Sequence, residues 1–363
     1  MGCRRLREQL RLSDANATAY LTDRGHLRAG ETVALEPAGD GNINWVRRAR
    51  ILPAGASAAG APGGRSFILK QARRALERFP EYSVTTERIV FEARYYAVVA
   101  PLDRAGICPE VLDFDESERV LVLEDLGSVE RLDHALAQPD SAAPELVRAA
   151  RALGAFLGAV HSATAGDPTL ASRFANDDMR RLHGDHIFAL PFRPNDFPLS
   201  PALRARAQSM WADAALVSIA DAAYTRYLEA RGALLHGDVQ AGNVLLPKTG
   251  PKLLDAEIAH VGDPAFDLGI LLAHLSVDAI ARGDPEAAAP LVAGAGSAYA
   301  GAAGASAGGR FAEAARYAGI ELLRRTLGAA RVAAVASDDG GLRVLDAALR
   351  WIRRPPDRPA ELL

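Results

Sequence analysis

Cysteine is nearly missing: Cys3 and Cys108 are the only two in 363 residues, far apart and without the close spacing of metal ligands. That speaks against a disulfide framework and makes a reducing cytoplasm the expected setting. A surplus of charge is missing too, since 42 basic residues face 45 acidic ones for a formal net charge of −3. The chain therefore lacks the electrostatic footprint of a nucleic-acid partner or an acidic membrane surface. No apolar run reaches the roughly eighteen residues that a membrane span needs. The opening MGCRRLREQL has no continuous apolar core of the secretory-signal kind, and Leu6 stands where a myristoylation site carries Ser or Thr. Aromatics are scarce at 6%, which counts against a ring-lined pocket for a cationic ligand. What is present is the profile of a soluble globular protein, 49% hydrophobic and 24% charged. The length exceeds one ordinary core, so two domains are expected.

Along the chain, residues 13–24 predict a short helix, and Glu31 to Arg50 predicts strands around a turn at Gly39-Asp40-Gly41-Asn42. The cluster AGASAAGAPGG (54–64) punctuates, and the strand Ser66-Phe67-Ile68-Leu69-Lys70 follows. Thr86 to Ala100 predicts a helix with Ile89, Ala93 and Tyr96 on one face. A strand pair at 107–113 and 119–125 ends at Gly127. The remainder predicts helices, interrupted by a hairpin at 233–256, with the Ala/Gly tract 292–309 as a helix and a loose connector. The expected fold class is α+β, with a small β-rich N-terminal lobe (1–126) and a larger, mostly helical C-terminal lobe (127–363).

The chemistry concentrates in LLHGDVQAGNVLLPKTGPKLLDAEIAHVGDPAFDLG, residues 234–269. Asp238 lies between an apolar strand and a small-residue loop, where it can be held rigidly yet stay open to a bound hydroxyl. Asn243 follows on the same loop, and the strand Lys252-Leu253-Leu254 delivers Asp255 at its end. Phosphoryl transfer requires such a set: one carboxylate to orient and deprotonate the attacking hydroxyl, and amide and carboxylate oxygens to hold Mg²⁺ against a triphosphate. Glu257 is a second candidate ligand if the strand continues. Asp267, opening an apolar helix, is placed to brace the loop by accepting backbone N–H bonds. Turn chemistry alone also favours Asp, Asn and Gly, but it does not order His236-Gly237-Asp238, Asn243, Asp255 and Asp267 along one segment. His183-Gly184-Asp185 repeats the tripeptide without the strand and Asn, so it is expected in a loop near the substrate.

The N-terminal lobe supplies partners. Lys70 ends an apolar strand, where its ammonium can reach phosphates, and Glu92 on the next helix is the carboxylate to hold it, with Glu87 the alternative. Gly41, Asn42 and Asn44, in the turn after a strand, can fold over phosphates through backbone N–H groups. Glu124, Asp125 and Leu126 would present backbone groups to an adenine edge. The P-loop pattern G-x-x-x-x-G-K-[ST] does not occur.

His236-Gly237-Asp238 with Asn243 and Asp255 resembles the aminoglycoside phosphotransferase and choline kinase superfamily, which shares the protein-kinase-like fold. Within it, GDGNINWV (39–46), SFILKQA (66–72), LVLEDL (121–126) and Asp255-Ala256-Glu257 resemble the 5-methylthioribose kinase family. The resemblance runs from residue 39 to 332. It implies ATP and Mg²⁺ as cofactors, a sugar or alcohol substrate, a role in methionine salvage and a homodimer. ELLRRTLGAARV (321–332) resembles that family's paired-arginine segment, which implies that Arg324 and Arg325 face the sugar; the residue-based alternative is a solvated helix end. Tyr82 stands where the family carries a tryptophan near the substrate. Where the family has His-Gly-Asp-Leu-His-Thr-Gly-Ser, this chain has His236-Gly237-Asp238-Val239-Gln240-Ala241-Gly242-Asn243, with Asn243 the wider superfamily's choice. The activity implied is phosphorylation of a methylthioribose-like pentose. Two alternatives stand beside it: an aminoglycoside- or choline-type phosphotransferase, and a nucleotide-binding regulatory pseudokinase, whose mark would be loss of Lys70, Asp238 or Asp255.

Overall fold

The structure, a computed structural model, describes residues 9–39, 44–54, 64–74, 83–138, 143–304 and 309–363. Gly41, Asn42 and Tyr82 lie outside the described residues, as does Cys3. The chain divides into two units, Met1–Arg94 with Pro109–Gly127, and Tyr95–Cys108 with Ser128–Leu363.

In the first unit, short helix α1 (Ala17–Asp23) precedes strands β1 (Thr32–Pro37), β2 (Trp45–Leu52) and β3 (Ser66–Gln71). Helix α2 (Arg88–Val99) starts here, and β4 (Val111–Asp115) and β5 (Val120–Glu124) complete an antiparallel sheet in the order β1-β2-β3-β5-β4. Side chains alternate across a strand. Phe67 and Leu69 of β3 therefore share one face and join Leu12, Tyr20, Leu21, Trp45, Val120 and Val122 in the core. Lys70, one residue on, takes the opposite face.

The second unit is mostly helical. Helices α3 (Leu132–Leu136), α4 (Pro144–Ala163), α5 (Pro168–Arg173), α6 (Asp177–Gly184), α7 (Pro201–Trp211) and α8 (Ala214–Glu229) precede strand β6 (Ala233–Leu235). Strands β7 (Val244–Leu245), β8 (Lys252–Leu253) and β9 (His260–Gly262) lead into α9 (Ala265–Arg282), α10 (Ala289–Ala303), α11 (Arg310–Leu327) and α12 (Asp338–Arg353). Helix α9 is mostly apolar and buried along nearly its whole length, as a central helix must be. It packs against α4, α10, α11 and α12. Helices α4 and α10 approach until their backbones touch: a Cβ on Gly154 would lie 2.2 Å from the Ala295 carbonyl oxygen, and one on Gly158 2.4 Å from that of Tyr299. No described helix is long and apolar enough to cross a membrane.

The expected hairpin within 233–256 is present, with Val244–Leu245 against Lys252–Leu253, as one of two pairings. In the other, β6 pairs with β9, a strand not expected from the sequence. The extended backbone does not continue through Asp255, whose φ of +72° is left-handed. The Ala/Gly tract forms α10 as far as Ala303, and residues 305–308 lie outside the described residues.

Candidate active site

The buried strand β6 delivers His236-Gly237-Asp238 into a turn that only glycine can make. Gly237 has φ +86°, and a Cβ there would meet the Ile258 carbonyl oxygen at 2.6 Å. Asp267, fully buried in the first turn of α9, accepts the N–H groups of His236 at 2.8 Å and Gly237 at 2.9 Å. A ring nitrogen of His161 on α4 lies 3.2 Å from the same carboxylate, and the other ring nitrogen lies 3.1 Å from the Tyr299 hydroxyl on α10. Burial alone would raise the Asp267 pKa, but the His161 hydrogen bond and charge, with His236 and the Gly237 N–H, hold it below the ordinary carboxylate range. Asp267 thus braces the turn as expected, though it does so from inside α9 and not as the cap of its own helix.

Asp238 is oriented through one oxygen. Its Oδ2 accepts hydrogen bonds from Gln240 Nε2 at 2.8 Å and Asn243 Nδ2 at 2.9 Å. Its Oδ1 is buried and has no hydrogen-bond partner among the described residues. A carboxylate fixed in this way presents one acceptor to an incoming hydroxyl.

The arginine pair connects to this loop through a buried carboxylate. Glu321 on α11 is fully buried and takes both oxygens to Arg324 Nη1 at 3.0 Å, with Arg325 Nε at 2.6 Å on Oε1. His274 Nε2 lies 3.2 Å from Glu321 Oε1. Arg325 continues to Gln240: its Nη2 donates to Gln240 Oε1 at 2.7 Å and its Nη1 to the Ala330 carbonyl at 3.3 Å. A chain of bonds therefore runs Glu321–Arg325–Gln240–Asp238. The two arginines differ in what they have left. Every nitrogen of the Arg325 guanidinium is engaged, whereas Arg324 bonds only through Nη1 among the described residues. Arg324 is 9% exposed and Arg325 7%, which replaces the solvated-helix-end alternative with a buried ionic cluster.

Burial works to raise the Glu321 pKa, but Arg324 and then Arg325 outweigh it and hold the group well below its ordinary range. A carboxyl depressed in the folded state adds stability that is present above its unfolded pKa and lost as pH falls through the folded one. Glu321→Gln is expected to cost about 3–5 kcal/mol at neutral pH, because two buried guanidinium groups lose their counter-charge. The difference from wild type should narrow from about pH 5 downward. Urea midpoints of both proteins across that range measure this, and a gap that widens in acid would contradict it.

Asp255 follows β8. Its N–H donates to the Tyr96 hydroxyl at 3.0 Å, which helps to hold a backbone conformation that side-chain-bearing residues seldom adopt. Carboxylate oxygens of Asp255 and Glu257 lie within 4.8 Å of each other. They meet although the strand does not continue, because the left-handed turn at Asp255 takes the place of strand alternation. Asn176 Nδ2 fixes this segment by donating to the Glu257 carbonyl at 2.8 Å. Asn243 uses its amide nitrogen on Asp238, and its amide oxygen has no hydrogen bond to any described residue. Asn243, Asp255 and Glu257 are thus oxygen donors of the kind a hard divalent cation takes.

In the first unit, Lys70 Nζ and Glu92 Oε2 form a buried pair at 2.7 Å. Glu87, the alternative partner, pairs with Arg119 instead. Asn44 Oδ1 accepts from Arg88 Nη2 at 2.7 Å and Nε at 3.1 Å, so its side chain anchors the start of α2. Asp125 bonds Arg48 Nε at 2.8 Å and the Gly127 N–H at 2.9 Å, and Glu124 Oε1 accepts the Glu110 N–H at 2.9 Å. Leu126 is half-buried.

Sequence reasoning gave Gln240 and Glu321 no role and placed His183 in a loop near the substrate. Glu321 had a signal, since it precedes the two arginines by one helical turn. His183, expected in a loop, stands on α6, where Asp177 and Asp178 favour a helix start and Met179 and His183 share a buried face. Its Nε2 is 3.8 Å from Asp238 Oδ1.

A model described as the phosphotransferase enzyme family matches residues 53–305. A methylthioribose kinase of Bacillus cereus (strain AH820) is 26% identical over 283 residues, 75% of this chain and 67% of that protein. One from Bacillus anthracis (strain A0248) matches to the same extent. Among solved structures, an ethanolamine kinase of Plasmodium vivax superposes with a TM-score of 0.52 at 10% identity, over 97% of this chain and 94% of that one. Such a likeness concerns the fold alone, which is the protein-kinase-like one. With a family match over well more than half of its length, the chain belongs to the phosphotransferase enzyme family and is a small-molecule kinase with a hydroxyl group as acceptor.

Proposed function

We propose that the chain transfers the γ-phosphoryl group of ATP to a hydroxyl of a methylthioribose-like pentose. The observation that carries this is the state of Asp238: one oxygen held by two amides, the other buried without a hydrogen-bond partner among the described residues. In this role Asp238 Oδ1 accepts the proton of the attacking hydroxyl, while Gln240 and Asn243 keep the carboxylate from turning. Arg324, with guanidinium nitrogens to spare, faces the sugar and the charge that develops on transfer. Arg325 acts through Gln240 as a positioning residue, and Tyr82 is the remaining candidate for sugar contact. Asp255 with Asn243 or Glu257 would hold Mg²⁺, which when bound offsets triphosphate charge. ATP itself is assigned to the N-terminal lobe (1–126), through the backbone of Gly41, Asn42 and Asn44, the Lys70–Glu92 pair, and the 124–126 segment. The C-terminal lobe (127–363) carries the chemistry and the sugar. A reducing cytoplasm suits the one described cysteine, Cys108, which is buried and free.

The sugar is favoured by the methylthioribose kinase relatives and by charge. A buried arginine beside the acceptor position repels an aminoglycoside or choline, whose cationic groups call for acidic or aromatic surroundings. Arg324→Ala should lower kcat and kcat/KM together with methylthioribose while leaving ATP affinity nearly unchanged. Arg324→Lys should rescue poorly, since a point charge does not reproduce the guanidinium fork. Steady-state kinetics with methylthioribose, ribose and an aminoglycoside test both points. Turnover of the aminoglycoside alone, indifferent to Arg324, would sink the sugar assignment.

A further inference from the structure

The side chain of His183 is nine-tenths buried, and neither ring nitrogen has a hydrogen-bond partner among the described residues. Burying a polar ring without partners is costly, so such a group points to something that completes it. Its surroundings say what. Phe266 packs edge-on against the ring, with centroids 6.2 Å apart, and fixes its plane. The nearest carboxylate oxygen is Asp238 Oδ1, 3.8 Å from Nε2 and itself buried without a partner. That gap is too wide for the two atoms to bond each other. It matches two neighbouring oxygens of one small molecule, each bonded to one of the two atoms. Burial, and then the charge of Arg324, keep the imidazole neutral by pushing its pKa well down, so the ring retains one donor and one acceptor.

We propose that His183 binds a second hydroxyl of the acceptor, on the carbon next to the one phosphorylated, so that the site selects vicinal diols. This deepens the sugar-kinase assignment and rests on it. While Asp238 Oδ1 takes the attacking hydroxyl, His183 Nε2 takes its neighbour and fixes the rotation of the sugar about the reacting carbon. A substrate lacking that hydroxyl leaves a buried imidazole nitrogen unpaired, and sites built around a hydrogen bond discriminate strongly against the analogue that lacks it. A simple amino alcohol with one hydroxyl fails for the same reason.

The test pairs variants with substrates, using the full chain. His183→Phe keeps most of the ring volume and removes both nitrogens; His183→Gln keeps a polar group near the position of Nε2. Methylthioribose is compared with its monodeoxy analogues. Wild type should lose about ten- to a hundredfold in kcat/KM on one deoxy analogue. His183→Phe should lose a similar factor on the diol and little more on that analogue, and His183→Gln should recover part of the discrimination. Equal losses on diol and deoxy substrates in His183→Phe would mark a merely structural role and overturn the proposal. A second readout is independent of turnover: the ¹⁵N resonances of the His183 imidazole, assigned by their loss in His183→Gln, should move when methylthioribose is added and stay still with the discriminated analogue. If methylthioribose is phosphorylated without moving them, the proposal fails and the kinase assignment stands. If it neither binds nor reacts, both fall.

Discussion

Asp238→Asn should lower kcat by about a hundredfold or more, the scale of a lost general base, with ATP affinity nearly unchanged. The geometry makes this substitution sharper than alanine. Gln240 and Asn243 both donate to Oδ2, so an asparagine at 238 must turn its carbonyl oxygen toward them. Its NH₂ group then occupies the Oδ1 position and offers a donor where the attacking hydroxyl needs an acceptor. Packing and orientation survive; proton acceptance does not. Turnover in a coupled assay and ATP binding by calorimetry separate the two effects. Near-normal turnover would remove Asp238 as the base.

The second large effect concerns Asp255. Removing its carboxylate should abolish both Mg²⁺-dependent ATP binding and activity, because a hard cation needs its anionic oxygen ligand. The choice of variant matters. Alanine at a left-handed position adds strain of about 1–2 kcal/mol, which confuses folding with metal binding. Asparagine tolerates that backbone, so Asp255→Asn isolates the charge. ATP affinity in Mg²⁺ should fall to the value seen with chelator in wild type. An affinity that still responds to Mg²⁺ would transfer the ligand role to Glu257. Glu257→Ala should do less than Asp255→Asn unless the two carboxylates share the ion.

Much of the candidate site was legible beforehand because its polar groups cluster in one stretch. Asp238, Asn243 and Asp255 fall within eighteen residues of chain, and a strand–loop–strand pattern says where each side chain goes. Strand β3 and helix α2 were legible through their periodicities, as was the choice of Glu92 as a partner for Lys70. Groups whose role depends on distant partners were not. Gln240 looks like loop filler until Arg325, 85 residues on, is found bonded to it. His183 carries a tripeptide already used elsewhere, and only the tertiary fold brings it beside Asp238. The pairing of β6 with β9 was hidden for a related reason: three-residue strands have too few alternations to register as a pattern.

The α4–α10 crossing restricts which side chains these two helices can carry. Where two backbones meet, the missing side chains of Gly154 and Gly158 set the spacing. His161 sits on one of those helices and Tyr299 on the other, and their hydrogen bond leads on to Asp267 and the turn it braces. One added methyl group would force the helices apart and slacken that line. Side-chain size at Gly154 and Gly158 therefore bears on the geometry of a turn that neither residue touches. The monotonous alanine and glycine of this part of the chain are a gauge block that sets the gap between the two helices.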